Sequence, residues 1–191
     1  MPRWPTDSRE RLVDAAMSLF GEHGYAATTV DEIAARAGVT ARTFFRHFRD
    51  KEEVLFSDDD SLMPHLIATI AEPTGPVAAE ALMSRALSSL AEVMQPGRHE
   101  LRARQRIIDT EVSLSGRELA KQALWQRAVT ATLIERGFAE EHAEVLAAIG
   151  FALFVRELHA WLADDDGPDL VTRVQDALPR ARSVLDVVSA R

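Results

Sequence analysis

Apolar residues recur every three to four positions along nearly the whole chain, a spacing that predicts helices throughout and no strands. Leu12, Ala16, Leu19 and Phe20 form the first stripe, on a helix capped by Asp7 or Ser8 and stopped by Gly24 after His23. A second, short helix opens at Thr28 and Thr29. Thr29-Val-Asp-Glu32 has the form of a capping box: a hydroxyl to accept free backbone N–H groups, and a carboxylate three residues on to answer it. Ile33, Ala34 and Ala37 share its inner face, and Gly38 supplies the positive φ of a helix end. Val39 is expected as a buried plug in the turn, with Thr40 capping a third helix to about His47. Phe44 and Phe48, at i and i+4, point inward; Arg42, Thr43, Arg46 and His47 point outward.

Beyond this compact start the helices lengthen. Asp50-Lys-Glu-Glu53 reads as another cap, for a fourth helix running from Asp50-Lys51 to about Ile70. Glu72-Pro-Thr-Gly-Pro76 breaks the pattern. Further helices are predicted over Val77–Met94, Arg98 to about Val112, Ser115–Arg136, Glu140–Leu162 and Pro168–Ala190, with Ser115-Gly-Arg-Glu118 as a capping box and Pro179 as a bend. The expectation is an all-α chain of about nine helices, divided into residues 1–50 and 51–191.

A helix, a glycine-containing turn and a second helix carrying Arg and Thr make a helix-turn-helix, whose second helix enters the DNA major groove. Thr28-Thr29, Ile33-Ala34, Ala37-Gly38-Val39-Thr40, Phe44-Phe45, His47-Phe48 and Lys51, preceded by Ala15-Ala16, Leu19-Phe20 and Gly24-Tyr25, resemble the TetR family of bacterial repressors. The resemblance covers about Arg9 to Leu55, roughly a quarter of the chain. It implies a DNA-binding head, a helical effector-binding and dimerisation domain, and a four-helix interface between copies built by the last two helices. The DNA-facing set it suggests is Thr28, Thr29, Thr40, Ala41, Arg42, Thr43, Phe45, Arg46, His47 and Lys51. The family usually carries tyrosine at Phe45, whose hydroxyl touches a phosphate; a phenyl ring leaves a sugar contact or none. Arg42-Thr-Phe-Phe-Arg46 also resembles an actinobacterial subgroup with acyl-CoA-like ligands.

Charge refines this picture. The chain carries a net −8, which alone would argue against DNA, yet residues 1–51 hold 8 Lys and Arg against 7 Asp and Glu. The other 140 residues hold 14 against 23, so the acidity lies away from the helix-turn-helix. Phosphate neutralisation is local, and such a head can still bind a polyanion. Arg3 in the opening arm suits a phosphate or the minor groove, or is simply frayed. Lys51, placed against the helix dipole, points to a nearby phosphate. Thr28 and Thr29 suit either phosphate contact or capping.

No assembled catalytic chemistry emerges. There is no cysteine; the histidines at 23, 47, 65, 99, 142 and 159 show no metal-binding spacing, and no glycine-rich phosphate loop occurs. Asp58-Asp59-Asp60 points round a helix and reads as a solvated face. The protein is therefore expected not to be an enzyme and to need no cofactor or metal. Arg98, Arg102, Arg104 and Arg106 form a basic row that could hold an anionic ligand group or pair with neighbouring acids. The apolar effector pocket is expected among Leu66, Ile70, Leu87, Met94, Arg106, Leu124, Trp125, Phe151 and Phe154. Val145, Ile149, Ala152, Leu153 and Ala160, with Leu170, Val174, Leu178, Leu185 and Val188, exceed what one copy needs to cover. They predict a homodimer. The longest apolar run, Val145 to Val155, falls short of the ~20 residues of a membrane span, and a cytoplasmic protein binding double-stranded DNA and a small apolar effector is expected.

Overall fold

The structure, a computed structural model, describes residues 8–57, 59–72, 75 and 77–189. The expectations for Arg3 and its arm, for Asp58, and for Pro73, Thr74 and Pro76 lie outside those residues, as do the side chains of Asp59, Asp60, Leu185 and Val188. The chain is all-α: α1 is Ser8–His23, α2 Val30–Arg36, α3 Ala41–His47, α4 Asp59–Ala71, α5 Ala79–Met94, α6 Arg98–Thr110, α7 Val112–Glu135, α8 Glu140–Ala163 and α9 Leu170–Ser189. Short 3-10 turns occupy Glu53–Phe56 and Gln95–Gly97.

Contacts divide the chain into two units, Met1–Asp60 with His99–Arg117, and Ser61–Arg98 with Glu118–Arg191. The division is not the one at residues 50 and 51 that motif and charge suggest. Ile108 of α6 and Leu114 of α7, both fully buried, belong to the same core as Leu12, Phe20, Ile33 and Phe44. Covering that apolar surface recruits sequence from far along the chain.

Within the first unit, α2 is capped as its residues dictate. Glu32 N–H donates to Thr29 Oγ1 at 3.3 Å, and Thr29 N–H donates to Glu32 Oε2 at 2.8 Å. At the other end Gly38 has φ +68°, Val39 N–H bonds to Ala34 O at 2.9 Å and Gly38 N–H to Ala35 O at 3.1 Å. This pair of bonds is the Schellman arrangement, and it turns the chain sharply into α3. Val39 is only partly buried against the core rather than enclosed by it.

Two helix starts differ from expectation. The cap at Asp50 is real, since Glu53 N–H donates to Asp50 Oδ1 at 2.7 Å, but it opens only the 3-10 turn. The side chains of residues 50–52 are drawn into tertiary contacts described below, and α4 begins at Asp59. α7 begins at Val112, not Ser115: the Ser115 hydroxyl reaches back to Ile108 O and Glu111 O, bonding the preceding turn instead of capping a new one.

In the second unit α5 packs on α8 and α9, and α8 on α9. Gly150 permits the α5–α8 approach: a Cβ there would lie 2.9 Å from Met83 Sδ. The carbonyls ending α4 are satisfied by arginines, Arg136 donating to Ile70 O at 2.9 Å and Arg85 to Thr69 O at 3.1 Å. By length and composition α8 could cross a membrane, its best 18-residue window averaging a mean hydropathy of 1.6, so its apolar stretch is longer than the uninterrupted run counted in the sequence. Phe151, Phe154 and Trp161 on α8 are buried among other helices. Its Glu157, 1% exposed, is ion-paired with Arg180 of α9 at 2.8 Å. One face of α8 is thus packed on α5 and α9, while Val145 and Ile149 on another face stay exposed.

Candidate DNA-binding face

α3 is amphipathic in an unusual way: one side is aromatic and the other basic. Phe44 and Phe48 are buried with ring centroids 5.4 Å apart. Arg42, Phe45 and Arg46, at i, i+3 and i+4, form one exposed stripe. Phe45 is 57% exposed and places an apolar ring between the two arginines. Arg49, also exposed, follows the extended Phe48 that ends α3 and so lies beyond the helix. Thr40 caps the helix, accepting from Thr43 N–H at 3.2 Å. Ala41 and Thr43 are half-buried beside them.

Three residues of the expected set have other duties. Thr28 is 1% exposed, and its hydroxyl donates inward to Gly24 O at 2.9 Å, tying the α1–α2 loop together. It presents no side chain to DNA. Lys51 does not explain its position by a phosphate: Nζ donates to Tyr25 O at 2.7 Å and Thr28 O at 2.9 Å and lies 4.2 Å from the Tyr25 ring centroid. His47 Nε2 lies 2.8 Å from Ser8 Oγ, linking α3 to the start of α1. Thr29 stays exposed, with its hydroxyl engaged in the capping box.

The segment after α3 is gripped from a distance that no local pattern reveals. Arg117 of α7 donates to Asp50 Oδ1 at 3.0 Å and Glu52 Oε2 at 3.2 Å, with its guanidinium 5.5 Å from the Phe56 ring centroid. Arg104 donates to Leu55 O and stacks over the same ring at 4.9 Å. Burial, then Glu52, push the Tyr25 hydroxyl well above its ordinary pKa, so it stays a neutral donor. α3 thus leaves the core through a clamped exit.

α1 and α2 are joined by Arg36, which forks onto Glu22 at 2.5 and 2.9 Å and reaches Ser18 at 2.8 Å. Hydrogen bonds from Arg36, then Ser18, hold the Glu22 carboxyl down at about 2 from an ordinary 4.5. A depressed carboxylate stabilises the fold above its unfolded pKa and loses that contribution as pH falls from about 4.5 toward 2. In Arg36→Gln the Glu22 titration midpoint, followed by NMR, is expected to move back up toward 4.5. A midpoint unchanged near 2 would show that the fork does not act in solution.

Of the expected pocket residues, Leu66, Ile70, Leu87, Trp125, Phe151 and Phe154 are buried in the second unit, with the Trp125 and Phe151 rings edge-on at 6.5 Å. Met94 is half-buried. Leu124 is 56% exposed, facing away from that core because it neighbours Trp125 on the helix. Arg106 is exposed and belongs to the first unit. The basic row is likewise dispersed: Arg98 bonds Trp161 O at 2.6 Å and pairs with Asp165 at 3.2 Å, as expected of acid-paired arginines. Among the described residues no group of His, Cys, Asp and Glu could hold a metal ion.

The family model for bacterial regulatory proteins of the tetR family matches residues 12–57, the segment that builds this face. YvkB of Bacillus subtilis, an uncharacterized HTH-type transcriptional regulator, is 31% identical over 162 residues, 80% of this chain and 84% of that protein. The chain belongs to the TetR family. Two other relatives, YerO of Bacillus subtilis and TcmR of Streptomyces glaucescens, align over only 18% and 28% of their length. Among solved structures, Thermus thermophilus FadR in complex with lauroyl-CoA aligns with a TM-score of 0.56 at 22% identity, over 90% of this chain and 91% of that one. The SmeT–triclosan complex aligns with a TM-score of 0.63 at 22% identity, over 90% and 89%. TetR-family proteins are DNA-binding transcriptional regulators, not enzymes, and this chain is one of them.

Proposed function

We propose that this TetR-family regulator is a cytoplasmic repressor that binds a pseudopalindromic operator as a homodimer and is released by a small apolar effector. The exposed stripe of Arg42, Phe45 and Arg46 carries the reading. Arginine matches guanine O6 and N7 bidentately, while the Phe45 ring suits a thymine methyl or a deoxyribose. Thr29, Thr40, Thr43 and Arg49 border the stripe and serve to hold phosphates, which set register without reading sequence. Two copies related by a two-fold axis present two α3 helices to half-sites about one helical turn or somewhat more apart.

The second copy is supported by apolar side chains left uncovered in one chain. Val145 and Ile149 on α8 are 54% and 43% exposed, whereas Leu170 and Val174 of α9 are buried within their own chain. The aromatic core of the second unit supports an apolar effector. A lauroyl-CoA complex of FadR and a triclosan complex of SmeT among the structures of like fold support one of acyl-CoA-like or similarly apolar type. Release follows only if that ligand prefers a state whose heads do not match the operator.

Selection of bound fragments from the source genome by the full protein tests this. A symmetric motif is expected, bound with an affinity that falls steeply with salt. Enrichment without any symmetric motif would sink the dimeric-operator reading.

A further inference from the structure

The uncovered face of α8 has an order along its length. Val145, Ala148, Ile149 and Ala152 are exposed in the middle, Glu141 and Glu144 before them, Arg156 and His159 after them. Glu141, Glu144, Ala148, Ala152, Arg156 and His159 follow one another at intervals of three, four, four, four and three residues, which keeps them on one helical face. The intervals read the same from either end, while the chemistry reverses: carboxylates at one end, a guanidinium and an imidazole at the other. Laid antiparallel on a copy of itself, the stripe sets Glu144 against Arg156, Glu141 against His159 and Ala148 against Ala152.

The neighbouring helix continues the surface. A groove of about 500 Å³ between α7 and α8 is lined by Arg127, Ala131, Ile134, Glu144, Val145 and Ala148. Ile134 is 40% exposed there, and Leu124, earlier on α7, is 56% exposed. Arg127 is the groove's one cation, outnumbered by Glu144 and the adjacent Glu141. The other flank differs: α9 turns Thr172, Gln175, Asp176 and Arg182 outward, and Val184 is its one exposed large apolar side chain among the described residues. We propose that a second copy of this chain docks on the α7–α8 face, its α8 antiparallel to this one about a two-fold axis, rather than through an α8–α9 pair as the family resemblance implies. This rests on the homodimer reading above and names the surface that carries it. Each contact then occurs twice. Ala148 and Ala152 let the two α8 helices approach closely, Val145, Ile149 and Ile134 supply apolar cover, and the charged ends fix the antiparallel orientation. Glu141 and Glu144 make no hydrogen bond or ion pair among the described residues, so both are open to the second copy. Arg156 contacts Glu157 in its own chain, but Glu157 keeps Arg180 at 2.8 Å when Arg156 turns outward.

Sedimentation equilibrium of the full chain measures the dimer dissociation constant, with far-UV circular dichroism as the check on folding. Glu141→Arg with Glu144→Arg, and separately Arg156→Glu with His159→Glu, are each expected to raise that constant by about a hundredfold or more, because like charges then meet on both sides of the axis. Mixing the two variants is expected to restore dimers, now of one chain of each kind, since every end again meets its opposite. Ile134→Arg on α7 is expected to weaken the dimer, and Gln175→Arg on α9 to leave it unchanged. Affinity kept in a folded charge variant or in Ile134→Arg, a mixture that stays monomeric, or a dimer lost in Gln175→Arg would each overturn the proposed face while leaving the homodimer in place. A natural chain that stays monomeric at every concentration would overturn the homodimer reading itself, and the face with it.

Discussion

Arg42→Ala weakens operator binding by about 1–3 kcal/mol, roughly 5- to 150-fold, and relaxes sequence preference at the base pair it reads. Arg42 is exposed on α3, one turn from Arg46, and makes no hydrogen bond or ion pair among the described residues. Its removal therefore takes away no contact that the fold uses, and thermal stability should change by less than about 0.5 kcal/mol. Fluorescence anisotropy at fixed salt, on the selected operator and on a variant altered at that base pair, measures both effects. Unchanged affinity would mean that α3 is not the reading helix. Lys51→Ala would be a poor substitute test, since Lys51 holds the carbonyls of Tyr25 and Thr28 and its loss acts through the fold.

Phe44→Ala destabilises the DNA-binding unit by about 3–5 kcal/mol, the cost of emptying a fully enclosed aromatic site. Phe44 is 0% exposed and touches both Phe45 and Phe48 by ring contacts of 5.5 and 5.4 Å. In a unit stabilised by one small core, a loss of that size is expected to abolish cooperative unfolding of the head and operator binding together. The neighbouring Phe45→Ala separates the roles: on an exposed ring the stability change stays within about 0.5 kcal/mol, and any loss of affinity is a DNA effect. Denaturant unfolding of both variants decides the matter; near-equal stability losses would contradict the inward and outward assignment of the two rings.

The helix-turn-helix was legible because its determinants are local. Capping at Thr29, the positive φ of Gly38 and the i, i+4 pair of Phe44 and Phe48 all involve residues within one or two turns of each other. The exposed surface of α3 was legible in part. Arg42, Phe45 and Arg46 follow from helical spacing, but Thr28 and Lys51 have side chains that water-facing patterns cannot distinguish from groups turned inward. Thr28 satisfies a carbonyl in the loop before it, and Lys51 bonds carbonyls more than twenty residues away. The same blindness displaced two helix starts. Asp50 and Ser115 have capping chemistry, yet Arg117 and the carbonyls of Ile108 and Glu111 claim their neighbourhoods.

Family membership, all-α architecture and the basic side of α3 were therefore written in short-range pattern. Chain folding decided which apolar residues are core: Leu170 and Val174 went inside, while Val145 and Ile149 of similar character stayed out. It also decided that α6 shares a core with α1–α3, that Arg106 and Leu124 are exposed, and that Arg117 clamps the exit of α3. Burial and long-range hydrogen bonds depend on which surfaces meet, and residue type constrains that choice only weakly. Local backbone geometry, by contrast, depends on the residue and its near neighbours alone.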